Sequence, residues 1–166
     1  MTVAPAPTTF PPTSAASMTP ETYLSPTAAV APNSVSHVDP DRANVTKVTV
    51  GGGPDSYTFS VSVESPDIGC EQYADWWEVL SPQGDLIYRR VLLHSHVGEQ
   101  PFTRSGGPVS VGSDDRVIVR AHMNTTGYGG LAFSGSAAQG LEPTSLDPDF
   151  ASQVSTQQPL PTDCAG

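Results

Sequence analysis

Tyr57-Thr-Phe-Ser-Val-Ser-Val63 is the stretch that decides the fold. Tyr57, Phe59, Val61 and Val63 take every second position, with Thr58, Ser60 and Ser62 between them. Side chains of an extended chain alternate between faces, so four large apolar groups point one way and three hydroxyls the other. The pattern predicts a half-buried antiparallel strand. Upstream, Val45-Thr-Lys-Val-Thr-Val50 is rich in β-branched residues and stops at Gly51-Gly-Gly-Pro54. Downstream, residues 73–80 and 86–93 flank Ser81-Pro-Gln-Gly-Asp85 and read as a hairpin. Ser105-Gly-Gly-Pro108 reads as another turn, and residues 109–111 as a short strand after it. Residues 116–122 and 131–134 complete the set. No stretch has helical periodicity of useful length. About seven short strands separated by turn residues predict an all-β, antiparallel β-sandwich.

The 166 residues suit one domain with tails. Residues 1–40 read as a linker rich in Pro, Thr, Ser and Ala, residues 41–135 as the sandwich, and residues 136–166 as an irregular C-terminal tail. The linker is too poor in large apolar side chains to offset its ordering entropy, and it resembles the tethers that hold domains off an envelope. With 17 acidic and 7 basic residues the formal charge is −10. That balance argues against phosphate-backbone binding and against anionic lipid. No apolar run approaches the roughly 18 residues of a membrane-spanning helix. The N-terminal stretch has neither the basic nor the apolar region of a signal peptide, so the expectation is an exported protein whose leader has been removed. An extracellular, cell-surface or periplasmic location follows from it. Cys70 and Cys164 are the two cysteines. The tail around Cys164 is too polar to bury a thiol by packing, which favours a disulfide pinning the tail to the sandwich.

The run Val117-Ile-Val-Arg-Ala-His-Met-Asn124, followed by Gly127-Tyr-Gly129, resembles the F strand and F–G loop of a fibronectin type III module. Trp76-Trp77 stands where such a module carries its C strand. The resemblance spans residues 44–135 and implies an immunoglobulin-like sandwich. The Trp-Trp and His-Ser-His segments together also resemble bacterial surface proteins to which no activity attaches.

Leu92-Leu-His-Ser-His-Val-Gly-Glu-Gln-Pro-Phe-Thr-Arg104 begins as an apolar strand and then breaks its pattern. If the strand continued, His94 and His96 would share a face and offer two imidazoles to copper or zinc. His122, on a separate strand, would be the third ligand, with Met123 as a soft thioether neighbour. His37 lies in the linker. Asp39-Pro-Asp41 and Asp147-Pro-Asp149 offer oxygens to calcium but lack the spacing of an EF-hand loop, and read better as solvated acidic turns. Neighbouring tryptophans on a strand face opposite sides, so one of Trp76 and Trp77 belongs to the core. The other either offers a stacking plane to a sugar or protein or packs beneath the tail. Arg89, Arg90 and Arg104 near an exposed tryptophan could form a carboxylate or cation–π cluster, and His94, His96, Glu99, Gln100 and Arg104 are the polar contacts expected of the 94–107 loop. No G-x-S-x-G, H-E-x-x-H or phosphate-cradling loop is present. The expectation is therefore a non-catalytic binding or structural module, using the 94–107 loop and the tryptophans toward an extracellular protein, a glycan or copies of itself. The alternative is a copper or zinc protein built on His94, His96 and His122.

Overall fold

The computed structural model describes Met1, Ala4 and residues 38–165. The chain divides into two units, Met1–Pro32 and Asn33–Gly166, and all described secondary structure lies in the second. The linker expected over residues 1–40, His37 included, falls almost wholly outside the described residues.

Two antiparallel sheets form a β-sandwich. Strands β1 (Asn44–Gly51), β2 (Tyr57–Glu64) and β5 (Phe102–Val109) make a three-stranded sheet in the order β1-β2-β5. The other sheet has the order β4-β3-β6-β7-β8, from β3 (Ala74–Leu80), β4 (Leu86–Val91), β6 (Val117–Met123), β7 (Ala132–Ser136) and β8 (Gly140–Thr144). Phe59, Val61, Val63 and Phe102 from the first sheet meet Trp77, Val79, Val119, Ala121 and Met123 from the second in one core. The alternation of β2 is realised as expected, with Tyr57, Phe59, Val61 and Val63 buried. Its hydroxyls form cross-strand pairs on the outer face, Ser60 with Ser105 at 2.6 Å and Ser62 with Thr103 at 2.8 Å.

The β3–β4 hairpin closes on Ser81, whose backbone N–H donates to Asp85 O at 2.9 Å and whose hydroxyl donates to the Asp85 carboxylate at 3.0 Å. Two expectations change. Residues 102–108 are not loop and turn but the body of β5, and the short strand expected at residues 109–111 is only that strand's end. β5 is a sheet edge, where Pro108 costs no ladder bond, and a register shift opposite Tyr57/Phe59 absorbs the Gly-Gly-Pro run. Gly106 is required there because a Cβ would come within 2.5 Å of the Tyr88 hydroxyl and 3.0 Å of Trp77.

The second change is in the stretch expected to be an irregular tail. It supplies edge strand β8, which pairs with β7, and a 3₁₀ helix at Ser152–Thr156. This C-terminal segment lies across the outer face of the five-stranded sheet. Leu146, Phe150, Ala151 and Val154 pack there on Leu80, Leu86 and Ile118. β3 is consequently buried on both faces along its whole length.

Candidate contact surface

The outer face of the five-stranded sheet carries a cross-strand row of charges. Glu78 lies directly opposite Arg89 on β4 and Arg120 on β6. Its carboxylate accepts from Arg89 Nε (2.9 Å) and Nη2 (2.6 Å) and from Arg120 Nε (2.9 Å). The three side chains are almost fully buried. Two guanidinium groups on one carboxylate leave an excess positive charge, and the covering segment meets it with backbone carbonyls. Arg89 donates to the carbonyls of Val154, Gln157 and Pro159, and Arg120 to those of Phe150 and Ala151. Trp76 sits one row along, under the Arg89 guanidinium (4.4 Å to the ring centroid) and stacked on His122 at 3.8 Å. Tyr128 closes the cluster beneath Arg120, and burial together with the nearby Glu78 pushes its hydroxyl up to about 12.

These contacts settle where several expected site residues lie. Trp77 is in the core and Trp76 is buried among Arg89, His122 and Tyr128, so neither offers a stacking plane to solvent. Arg89 is equally committed, and of the arginines at this hairpin only Arg90 is exposed. The physical reason is the cover over the sheet. A face that would be the solvent side of a two-layer sandwich is here an interior.

The metal constellation is also corrected. Residues 92–101 are a loop, so His94 and His96 do not share a strand face. His96 lies flat on Phe102, with ring centroids 3.8 Å apart and an 11° interplanar angle. His122 instead holds the Asp75 carboxylate at 2.6 Å through Nδ1. Among the described residues no three His, Cys, Asp or Glu side chains form a group that could hold a metal ion. Asp39 and Asp147 each accept the backbone N–H two residues on, at 2.9 Å, and are turn residues. The amides of Asn44 and Asn124 are likewise tied to backbone groups, Leu131 N and Tyr73 N among them.

Charged and apolar groups do gather at one end of the sandwich, where the β2–β3 and β4–β5 connections meet. Asp67 organises this end. Its Oδ1 accepts from Ser65 Oγ (2.7 Å) and Ala74 N (3.0 Å), and its Oδ2 from His96 N (2.8 Å). Gln100 spans the same two loops, accepting from Ser65 N and donating to His96 O. Cys70 and Cys164 are bonded, and Ala165 N donates to Leu93 O, so the C-terminal segment is fastened at this end. Glu99 and Arg104 make an exposed two-pronged ion pair, which lowers the carboxyl's pKa and raises the guanidinium's. Burial lowers the pKa of His96, helped by Arg104 and His94 nearby. Ile68, Leu93 and Val97 are more than half exposed, which is unusual for large apolar side chains of this domain.

Sequence reasoning singled out Arg90, His94, His96, Glu99, Gln100 and Arg104, and the structure brings them to this end. It missed Asp67, for which Ser65-Pro-Asp67 carries no signal beyond a turn. It also missed Glu78, although Trp76-x-Glu78-x-Leu80 does place a carboxylate on the face opposite the core.

A protein named "Putative lipoprotein" from Halomicrobium mukohataei is 40% identical to the chain over 121 residues, covering 68% of this chain and 60% of the relative. The chain thus spans less than two thirds of that relative's length. No protein-family model and no solved structure matches. No helix among the described residues is long and apolar enough to cross a membrane.

Proposed function

We infer that the chain is a non-catalytic, surface-exposed β-sandwich module that presents its Asp67–His96 loop end to an extracellular protein. The observation that carries the exposed location is the Cys70–Cys164 disulfide, which joins residues 94 apart and fastens the covering segment. Such bonds persist in oxidising compartments and are rare in reducing ones. The lipoprotein name of the relative supports a location at the cell envelope. The charge of −10 suits a solvated domain. The strand order β1-β2-β5 over β4-β3-β6-β7 supports the finer assignment to the fibronectin type III arrangement, with β8 as an added edge. A protein partner is favoured over a glycan because Ile68, Leu93 and Val97 are exposed while both tryptophans are buried.

The non-catalytic assignment rests on where the polar side chains are spent. Glu78, Arg89 and Arg120 hold the covering segment, Asp75 holds His122, and Asp67 holds the two loops. The test is made on cells producing the natural full-length protein. Protease added to intact cells should remove the domain, and alkylation should find Cys70 and Cys164 blocked until reductant is added. A protease-resistant pool that becomes accessible only on lysis and whose cysteines alkylate without reductant would reject the surface location.

A further inference from the structure

A small cavity of about 130 Å³ lies where β4 and β5, the edge strands of the two sheets, run beside one another. Its polar lining is wholly basic, from Arg90, His94, His96 and Arg104, over an apolar floor that includes Leu92 and Leu93. In a chain of charge −10 this local excess of one sign is notable. Arg104 and His94 both act on His96 as positive neighbours, so the basic groups are within electrostatic reach of one another. Their negative counterpart is incomplete. Glu99 neutralises Arg104, while among the described residues Arg90 makes no side-chain hydrogen bond or ion pair. The His96 side chain is 1% exposed, yet neither ring nitrogen has a hydrogen-bond partner, and Asp67 Oδ2 stands 3.9 Å from Nδ1. Both nitrogens are shielded, so His96 forms a wall of the cavity, and the exposed His94, its ring centroid 4.6 Å away, is the imidazole that can reach a ligand.

We propose that this cavity binds a single carboxylate, with Arg90 as the principal charge partner, His94 as a hydrogen-bond donor, and Leu92 and Leu93 against a short hydrocarbon stem. One unneutralised arginine fits a monoanion, and a guanidinium fork matches a carboxylate in shape. The Glu99 carboxylate already seated on Arg104 shows the same chemistry within the chain. The proposal rests on the loop end being a contact surface and gives that surface a ligand class. The carboxylate belongs either to a free small acid or to a polypeptide C-terminus, and the test separates the two.

The experiment follows the histidine and arginine side-chain NMR signals of the isotope-labelled, disulfide-bonded chain at constant ionic strength. Sodium propionate and N-acetyl-Gly-Ala with a free C-terminus are titrated against sodium chloride, propionamide and the C-terminally amidated peptide. Saturable shifts at His94 and Arg90 with one or both carboxylates, at a dissociation constant on the order of millimolar, are the expected result. Propionate alone identifies a free acid, and the peptide alone a chain terminus. Arg90→Gln, an exposed substitution that leaves the fold intact, should weaken binding roughly tenfold, which is about 1.4 kcal/mol. Linear shifts matching those with chloride, equal shifts with the neutral amides, or undiminished binding by Arg90→Gln would each overturn the proposal. The surface location would survive all three, since protease access and thiol blocking test it separately.

Discussion

The two outer faces of this sandwich are built from similar strands and have opposite fates. On the three-stranded sheet, Ser60, Ser62, Thr103 and Ser105 pair across strands in contact with water. On the five-stranded sheet the corresponding positions are Trp76, Glu78, Arg89, Ile118, Arg120 and His122; the C-terminal segment covers the Arg89–Glu78–Arg120 row and Ile118, while Arg89 and Tyr128 close over Trp76 and His122. Small hydroxyls can stay hydrated on an open face at no cost. A Glu flanked by two Arg and a Trp would also be content in water, and it becomes expensive only once covered. The cover is tolerable because the segment supplies five carbonyl acceptors to the two guanidinium groups. Polarity alone therefore does not tell an open face from a closed one. What distinguishes them is whether the polar groups can be satisfied in the absence of water.

The largest effect that sharpens this contrast is expected from Glu78→Gln. Removing the charge leaves two buried guanidinium groups with no carboxylate, and breaking a buried pair in this way costs about 3–5 kcal/mol. The midpoint of urea unfolding should drop accordingly. Amide exchange should rise first in residues 150–157, whose carbonyls the arginines hold. If the midpoint barely moves, the charge row is hydrated and the segment is not a true cover.

Next in size is loss of the disulfide. The double variant Cys70→Ser/Cys164→Ser should lose about 2–5 kcal/mol, mainly through the larger freedom of the unfolded chain. The two faces should respond differently. Exchange in the C-terminal segment should accelerate and the fluorescence of Trp76 should shift as water reaches it, while β1, β2 and β5 keep their protection. Uniform loss of protection across both sheets would mean that the segment and the sandwich unfold as one unit.

This contrast also marks how far the fold could be read from residues. The strict alternation of residues 57–63 announces β2, and Ser81-Pro-Gln-Gly-Asp85 announces the hairpin, because period and turn chemistry are local. β5 was hidden because Gly106, Gly107 and Pro108 look like a turn; pairing with β2 makes them part of a strand, the edge position tolerates the proline, and the approach of Tyr88 accounts for the glycine at 106. The covering segment was hidden for a related reason. Its hold on the sheet comes from backbone carbonyls, which every residue has, so its sequence carries almost no pattern. The three-histidine metal reading lacks its third ligand: the His94 and His96 rings lie 4.6 Å apart even in a loop, but His122 is held by Asp75 and stacked on Trp76, and no three candidate ligands gather among the described residues. The cysteine pair was legible because one polar surrounding sufficed to argue for it.

A smaller effect concerns pH and the loop end. Burial first, then Arg104 and His94, lowers the pKa of His96 in the folded chain below the ordinary 6.5. Between that lowered value and 6.5 the unfolded chain carries a proton that the folded chain does not. The contribution of His96 to stability should therefore be flat above pH 6.5 and fall as pH drops below it, levelling once the folded ring also protonates. The slope should not exceed that of one proton, with Asp67 and Glu99 opposing the shift and so shrinking it. His96→Phe keeps the stack on Phe102 and should flatten this part of the profile. An unchanged profile in that variant would assign the dependence to another group.

The smallest effect tests the open face. Ser60→Ala and Ser62→Ala each remove one partner of a solvent-exposed hydroxyl pair, leaving Ser105 and Thr103 free to bond water. Substitutions at such positions change stability by no more than about 0.5 kcal/mol. The same pair made on the covered face, where water cannot replace a lost partner, would cost several times as much. A measured loss above about 1 kcal/mol at Ser60 or Ser62 would contradict an open face. It would mean that β1, β2 and β5 are themselves covered in solution, by a second copy of the chain pairing face to face. Repeating the unfolding at tenfold lower protein concentration decides between these, because a loss that depends on association shrinks on dilution and a loss within one chain does not.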